Sequence, residues 1–157
     1  MKAIASPPDR RRKEGRPLIL YVEDELANFQ VAELRLGKTY HLLRAATSED
    51  ACRIVRVHHA ELYAVLMDIR LVGSELDGVE LAKAFRGRPG PSAPAYARGL
   101  SVQAPIIFVT AHGAVLPPEV MAAAGGDTVL FKPVDFIKLM SALTESHLRR
   151  GRAARSK

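Results

Sequence analysis

The sequence predicts an α/β fold in which a five-stranded parallel sheet is covered by helices on both faces. Two observations carry this prediction. Five short apolar runs of strand length alternate with segments in which apolar residues recur at helical spacing. Most of these runs are also apolar throughout and lack the polar alternation of strands that face water on one side. Strands buried on both faces and joined by helices are typical of a parallel sheet.

The first two strand and helix units occupy the amino-terminal part of the chain. The apolar run 18–22 ends in the acidic cluster Glu23-Asp24-Glu25. A helix follows and ends near Gly37, and its apolar positions are Phe29, Ala32 and Leu36. A weaker strand at 41–45 precedes a helix that Thr47 is expected to cap.

The remaining three units repeat this pattern. The strands and the residues that end them are 64–67 with Asp68, 106–109 with Thr110 and 129–131 with Lys132. The helices are expected after the turn Asp77-Gly78, over 119–124 after Pro117-Pro118, and after the cap Asp135. The last helix has the apolar positions Phe136, Leu139, Met140 and Leu143.

Length and composition are those of one globular domain. The chain has 157 residues, of which 48% are apolar and 25% are charged. No apolar stretch approaches the roughly 18 residues that span a bilayer, and the polar, basic start has no signal-peptide core. A single cysteine, Cys52, excludes an intramolecular disulfide framework and a multi-cysteine metal site. We therefore expect a cytoplasmic protein without membrane contact.

The net charge of +6 belongs to the two ends of the chain. Residues 1–16 have six basic and two acidic residues, a balance of +4, and residues 149–157 have five basic residues and no acid. The body, 17–148, is left at −3. We divide the chain into a basic, disordered amino-terminal tail over 1–16, a folded domain over 17–149 and a basic tail over 150–157. A basic nucleic-acid-binding face on the domain is not indicated, and no specific nucleic acid is expected as a partner.

Polar residues follow the predicted strands at the point where each ends. They are Glu23 and Asp24, Asp68, Thr110 and Lys132. In an open parallel sheet, ligands bind beyond the carboxyl ends of the strands. Carboxylates, a hydroxyl and an ammonium are therefore expected to converge at one edge.

This set of groups suits phosphoryl transfer. An aspartate can attack phosphorus and form an aspartyl phosphate. Clustered carboxylates repel one another, and Mg²⁺ relieves that repulsion because it prefers oxygen ligands and binds through one or two carboxylates plus phosphate. A lysine and a hydroxyl can bind the remaining phosphoryl oxygens. The pattern favours a magnesium-dependent acceptor of phosphoryl groups.

Four segments together resemble the receiver domains of two-component signalling. They are Val22-Glu23-Asp24-Glu25, Leu66-Met67-Asp68-Ile69-Arg70, Val109-Thr110-Ala111 and Phe131-Lys132-Pro133. Each is short, but all four occur in the family's order and at strand ends, over roughly residues 17–148. The resemblance implies a flavodoxin-like (βα)₅ fold with strand order 2-1-3-4-5.

The resemblance also implies a role for each site residue. Asp68 would accept the phosphoryl group, with Thr110 as the switch hydroxyl and Lys132 as the phosphoryl-binding lysine. Glu23, Asp24 and Asp68, together with the backbone carbonyl of Arg70, would bind Mg²⁺. The Lys132-Pro133 bond would be cis. His112, close to Thr110, is a further candidate for a position beside the phosphoryl group.

The implied partners are a sensor histidine kinase or a histidine phosphotransfer protein, and a downstream protein target; a homodimer stays open. The domain would be a signalling receiver that catalyses only its own phosphoryl transfer and dephosphorylation. A receiver-like interaction module that is never phosphorylated is the main alternative. A phosphatase with an aspartate nucleophile would carry a second aspartate where Arg70 stands, and a nucleotide-binding domain would need a glycine-rich loop where Glu23-Asp24-Glu25 stands.

Three features depart from the family pattern. The segment 71–78 after the acceptor is about two residues longer than usual and lacks the usual proline. The segment 86–104, rich in proline and glycine, has the composition of a flexible insertion. The residue three positions before the lysine, usually aromatic, is Val129.

Overall fold

The computed structural model describes residues 15–111 and 116–156, which form the predicted α/β fold. All strands are parallel and lie in the order β2-β1-β3-β4-β5, which confirms the predicted five-stranded sheet. The strands are β1 (Leu18–Val22), β2 (His41–Ala45), β3 (Leu62–Asp68), β4 (Ile106–Thr110) and β5 (Thr128–Phe131). The helices are α1 (Leu26–Leu36), α2 (Ser48–His58), α3 (Gly78–Phe85), α4 (Pro118–Ala123) and α5 (Phe136–Arg155).

The core lies in two layers, one on each face of the sheet. Successive side chains of a strand point to opposite faces, so Ile19 and Tyr21 pack against α1 and α5 while Leu18 and Leu20 pack towards α2 and α3. All five residues of β1 are buried. Burial of a large aliphatic side chain contributes about 1.5–3 kcal/mol. The unbroken apolar runs in the sequence therefore result from burial on both faces.

Three helices begin with a side-chain cap, and the sequence predicts two of these caps, Thr47 and Asp135. The Thr47 hydroxyl accepts a hydrogen bond from the Asp50 amide at 3.2 Å. The Asp77 carboxylate accepts one from the Glu80 amide at 2.8 Å, and the Glu80 carboxylate accepts one from the Asp77 amide at 3.0 Å. The Asp135 carboxylate caps α5 by accepting hydrogen bonds from two amides of its first turn. Such caps stabilise a helix by about 1 kcal/mol each, and here they fix where α2, α3 and α5 start.

The segment 86–104 packs on the body of the protein, so its interpretation as a flexible insertion is wrong. It contains a short 3₁₀ helix (Ala95–Ala97), and both Ala97 and Leu100 are buried in the core layer of α2 and α3. The Arg56 guanidinium, on α2, donates to the carbonyl oxygens of Tyr96 and Arg98 at 2.7 and 2.8 Å. The high proline and glycine content of the segment gives no indication in the sequence that these side chains anchor it to the core.

The last helix is longer than predicted and continues to Arg155, through most of the segment 150–157. The Arg150 guanidinium donates to both carboxylate oxygens of Asp127 at 2.9 Å, which fastens this part of α5 to the loop before β5. Met140, expected on the apolar face, is 39% exposed, whereas Leu139 and Leu143 are buried. The face that packs on the sheet is therefore narrower than the apolar spacing indicates.

Two sequence predictions fall outside the described residues. One is the disorder of the amino-terminal tail, of which residues 1–14 are not described, and the other is the position of His112. Arg16, which belongs to the same predicted tail, donates a hydrogen bond to the carbonyl oxygen of Gly37. In the part of the chain that the structure describes, no helix is both long and apolar enough to span a membrane.

Candidate functional site

The acidic residues of the sequence motif meet where β1 and β3 end. In the parallel pairing, Val22 lies opposite Met67, so Glu23 follows β1 beside the position of Asp68. On the other side, Asp68 lies opposite Val109. Parallel strands end at the same edge, so the register alone carries these residues to one place.

Glu23, Asp24 and Asp68 form a cluster in which one carboxylate oxygen of each lies within 4.8 Å of the others. Glu23 has no exposed surface and Asp68 is 5% exposed, while Asp24 is partly exposed. Within residues 15–111 and 116–156 this is the single group of three His, Cys, Asp or Glu side chains arranged in this way.

Lys132 joins two members of the acidic cluster. Its Nζ donates to Glu23 Oε2 at 2.7 Å and to Asp68 Oδ2 at 2.8 Å. Burial raises the pKa of Asp68, and the hydrogen bond and charge of Lys132 only partly oppose that rise. Burial alone lowers the pKa of Lys132, but the hydrogen bonds and charges of the two carboxylates outweigh it, so the pKa is raised overall. The ammonium is therefore held charged. The Lys132–Pro133 peptide bond, which follows this side chain, is cis, as the resemblance implies.

Two residues absent from the sequence prediction fix the first acids in place. The Tyr21 hydroxyl donates to Glu23 Oε2 at 3.3 Å, and burial, followed by the charge and hydrogen bond of Glu23, raises the Tyr21 pKa far above its usual range. The Arg44 guanidinium donates to the carbonyl oxygens of Glu23 and Asp24 at 3.1 and 2.7 Å. The spacing of Tyr21 and Glu23, two residues apart on an extended strand, could have identified the tyrosine. No pattern in the sequence links Arg44, on β2, to this site.

The segment between β3 and α3, residues 69–77, contacts the cluster; we call it the β3–α3 loop. The Arg70 amide donates to Asp68 Oδ1 and the Val72 amide donates to Asp24 Oδ2, each at 3.3 Å. Gly78, just after the loop, lies so near the backbone of Asp68 that a Cβ there would come within 2.1 Å of its carbonyl oxygen. The glycine of the Asp77-Gly78 turn is therefore required for close approach.

Thr110 ends β4 next to the cluster. The residue is fully buried, and its hydroxyl has no hydrogen-bond partner among the described residues. Its carbonyl oxygen accepts a hydrogen bond from the Lys132 amide at 2.7 Å. A buried hydroxyl without a partner is costly, so this one is suited to donate to a ligand oxygen.

The donor set fits a hard divalent cation. Three carboxylates and one ammonium leave two negative charges in excess when all are ionised. Mg²⁺ prefers oxygen ligands of this kind and tolerates a site that supplies only part of its coordination shell. The Arg70 amide lies against the same cluster, and its carbonyl remains a predicted ligand.

Comparisons with known proteins agree with this arrangement. The family model of the response regulator receiver domain matches residues 19–144. The structure resembles a response regulator receiver domain protein from Clostridium thermocellum with a TM-score of 0.69 and 20% identity, covering 87% of this chain and 98% of that chain. It also resembles the receiver domain of the Francisella response regulator 1452 with a TM-score of 0.67 and 17% identity, covering 85% and 98% of the two chains.

A third similar structure belongs to a longer protein. NtrX from Brucella abortus matches with a TM-score of 0.65 and 22% identity over 88% of this chain, but over only 29% of the NtrX chain. At these identities the structural likeness establishes the fold alone. No curated protein gives a significant sequence match.

Proposed function

Because this chain belongs to the response regulator receiver domain family, we propose that it accepts a phosphoryl group on Asp68 in a magnesium-dependent reaction. The contact of Lys132 with both Asp68 and Glu23, beside the partly exposed carboxylate of Asp24, supports this proposal most strongly. A receiver-like module that only binds partners would need neither a buried acid cluster nor a lysine held charged within it. Buried charges cost folding free energy, and the two buried carboxylates among the described residues, Glu23 and Asp68, both lie at strand ends.

The proposed step moves one phosphoryl group. A carboxylate oxygen of Asp68 attacks the phosphorus of the donor, and the bond from phosphorus to the donor nitrogen or oxygen breaks. The electron pair of that bond stays with the donor, and Asp68 becomes an acyl phosphate. The Arg70 amide, which donates to Asp68 Oδ1, orients the carboxylate for this attack.

The surrounding residues stabilise the added charge. Mg²⁺, held by Glu23, Asp24, Asp68 and the carbonyl of Arg70, would supply positive charge that offsets repulsion between the carboxylates and the incoming group. Lys132, which already bonds Asp68 Oδ2, transfers a hydrogen bond to a phosphoryl oxygen. The Thr110 hydroxyl donates to another. The loss of the contact between Lys132 and Asp68 is the local change that partners would sense.

The proposed partners follow from the same chemistry. A sensor histidine kinase or a histidine phosphotransfer protein would supply the phosphoryl group, since a phosphohistidine carries it on nitrogen. A downstream protein target would read the change around Lys132 and Thr110. A cytoplasmic location remains part of this proposal.

Intact-mass measurement after incubation with a small phosphodonor tests the proposal. We expect a gain of one phosphoryl group with Mg²⁺, and none with a chelator or in Asp68→Asn. Asp77→Asn is the matched control, because Asp77 lies in the same loop but only caps α3, and it should be modified like the wild type. A wild-type protein that stays unmodified by both small donors and phosphohistidine would favour the interaction module that is not phosphorylated.

A further inference from the structure

The β3–α3 loop is held at both of its ends. At the start of the loop, the Arg70 and Val72 amides donate to Asp68 and Asp24. At its far end, the Leu76 amide donates to the hydroxyl of Ser48 at 3.3 Å, and the Ser74 hydroxyl accepts a hydrogen bond from the Ser48 amide at 2.9 Å. Ser48 is the first residue of α2 and is 1% exposed. The loop is therefore tied to α2 two residues beyond its contact with Asp24.

Ser48 is held in turn by the segment 86–104. Its hydroxyl lies 2.7 Å from the Tyr96 hydroxyl, which donates to the carboxylate of Glu75 at 3.3 Å. Because Tyr96 gives its one proton to Glu75, Ser48 donates to Tyr96 and accepts from Leu76. The result is a chain of hydrogen bonds in one direction, Leu76 to Ser48 to Tyr96 to Glu75. Hydrogen bonds in such a chain strengthen one another.

The loop needs a restraint of this kind. It contains no proline to restrict its backbone, and Gly73 in its middle has a φ of 77°, a left-handed conformation that glycine adopts freely. Tyr96 is itself fixed, since Arg56 binds its carbonyl oxygen and Ala97 is buried next to it. A segment that packs on the core thus supports a loop whose backbone contains a glycine at positive φ.

We propose that Tyr96 is a positioning residue for the acidic site. Through Ser48, its hydroxyl keeps the β3–α3 loop in the conformation in which the loop contacts Asp24 and Asp68. The segment 86–104, on which Tyr96 lies, thereby sets how readily the acid cluster binds Mg²⁺. This inference rests on the proposed function, because it concerns the same metal site.

The test is Tyr96→Phe in the full chain, which removes the hydroxyl and keeps the ring. We expect hydrogen exchange at the Leu76 and Val72 amides to become about three to ten times faster, the change that loss of one hydrogen bond of ordinary strength produces. A magnesium titration followed by amide NMR signals should show a Kd about three to ten times higher. Tyr63→Phe is the matched control, since Tyr63 packs on Tyr40 in the other core layer, and it should change neither quantity.

Three results would overturn the inference or its premise. Unchanged exchange at Leu76 and Val72 in Tyr96→Phe would show that the hydroxyl does not hold the loop. Faster exchange with an unchanged Kd for Mg²⁺ would show that the loop does not position the acids. Failure of the wild type to bind Mg²⁺ would contradict the proposed function itself, and it would be evident before any variant is compared.

Discussion

Replacement of Lys132 by methionine is expected to destabilise the protein and to increase the stability that the protein gains when Mg²⁺ is added. The side chain keeps most of its length, but Glu23 and Asp68 lose the ammonium that bonds them at 2.7 and 2.8 Å. Removal of one partner from a buried ion pair costs about 3–5 kcal/mol. The Tyr21 hydroxyl and the Glu25 amide still bond Glu23, and the Lys132 side chain is 22% exposed. We therefore expect a loss near or below the lower end of that range, about 2–3 kcal/mol at neutral pH.

The sign of the pH dependence follows from the two pKa shifts. The pKa of Lys132 is raised in the folded protein, so its contribution is fully present below its unfolded pKa and is lost only as the pH rises through the folded value. The pKa of Asp68 is already raised by burial and rises further without the ammonium. Asp68 in the variant then takes up a proton as the pH falls. The difference between wild type and Lys132→Met should shrink between pH 7 and pH 5.

Urea denaturation at both pH values, with and without Mg²⁺, measures these effects. Magnesium should stabilise Lys132→Met more than the wild type, since a cation meets no competing ammonium in the variant. Lys138→Met is the control, because Lys138 is exposed on α5, and it should change stability by less than about 0.5 kcal/mol. A loss in Lys132→Met that grows towards pH 5, or that Mg²⁺ does not reduce, would refute this account of the site.

Two further substitutions test the packing around Asp68. Gly78→Ala places a Cβ 2.1 Å from a backbone carbonyl oxygen, so the free energy of unfolding should fall by about 2–4 kcal/mol and the thermal denaturation temperature should fall with it. Gly90→Ala is the control, because nothing lies within 4 Å of a Cβ there, and it should change little. Equal effects of the two substitutions would contradict the close approach at Gly78. Thr110→Val removes a buried hydroxyl without a partner among the described residues, so stability should stay within about 1 kcal/mol of wild type or rise. The same variant should weaken the amide NMR response to a phosphoryl analogue, and an undiminished response would exclude the hydroxyl as a sensor.

The sheet was predictable because strands that are buried on both faces have a simple sequence pattern. Each central strand appears as an unbroken apolar run, and the polar residue that follows it marks the carboxyl edge. Thus the sequence alone was enough to place four side chains at one site, and the structure brings them together: Glu23, Asp24, Asp68 and Lys132. Their roles in catalysis and metal binding remain predictions.

The supporting contacts were not predictable, since they join segments far apart in sequence. Arg44 binds the backbone of Glu23 from β2, and Tyr96 reaches Ser48 from 48 residues away. A stretch rich in proline and glycine indicates only that regular helices and strands are absent. Whether such a stretch packs depends on a few anchors such as Leu100, whose burial is set by the neighbouring α2.

The region around Val129 also shows that the surroundings of a side chain could not be predicted from the sequence. The side chain packs against the core layer of α2 and α3, while Phe131, two residues on, is 50% exposed. The sequence identified the missing aromatic residue at 129 but not the environment of the aromatic residue at 131. Environment is a property of the whole fold, so it had to come from the structure.

The identity of the phosphorylated residue tests the central claim most directly. Borohydride reduces an aspartyl phosphate to homoserine, and peptide mass spectrometry then locates the modified position. After treatment with a phosphodonor and Mg²⁺, we predict homoserine at position 68 and at no other acidic residue, and none when the metal is chelated. Homoserine at position 24, or at position 68 regardless of metal, would contradict the assignment of Asp68 as the magnesium-dependent acceptor.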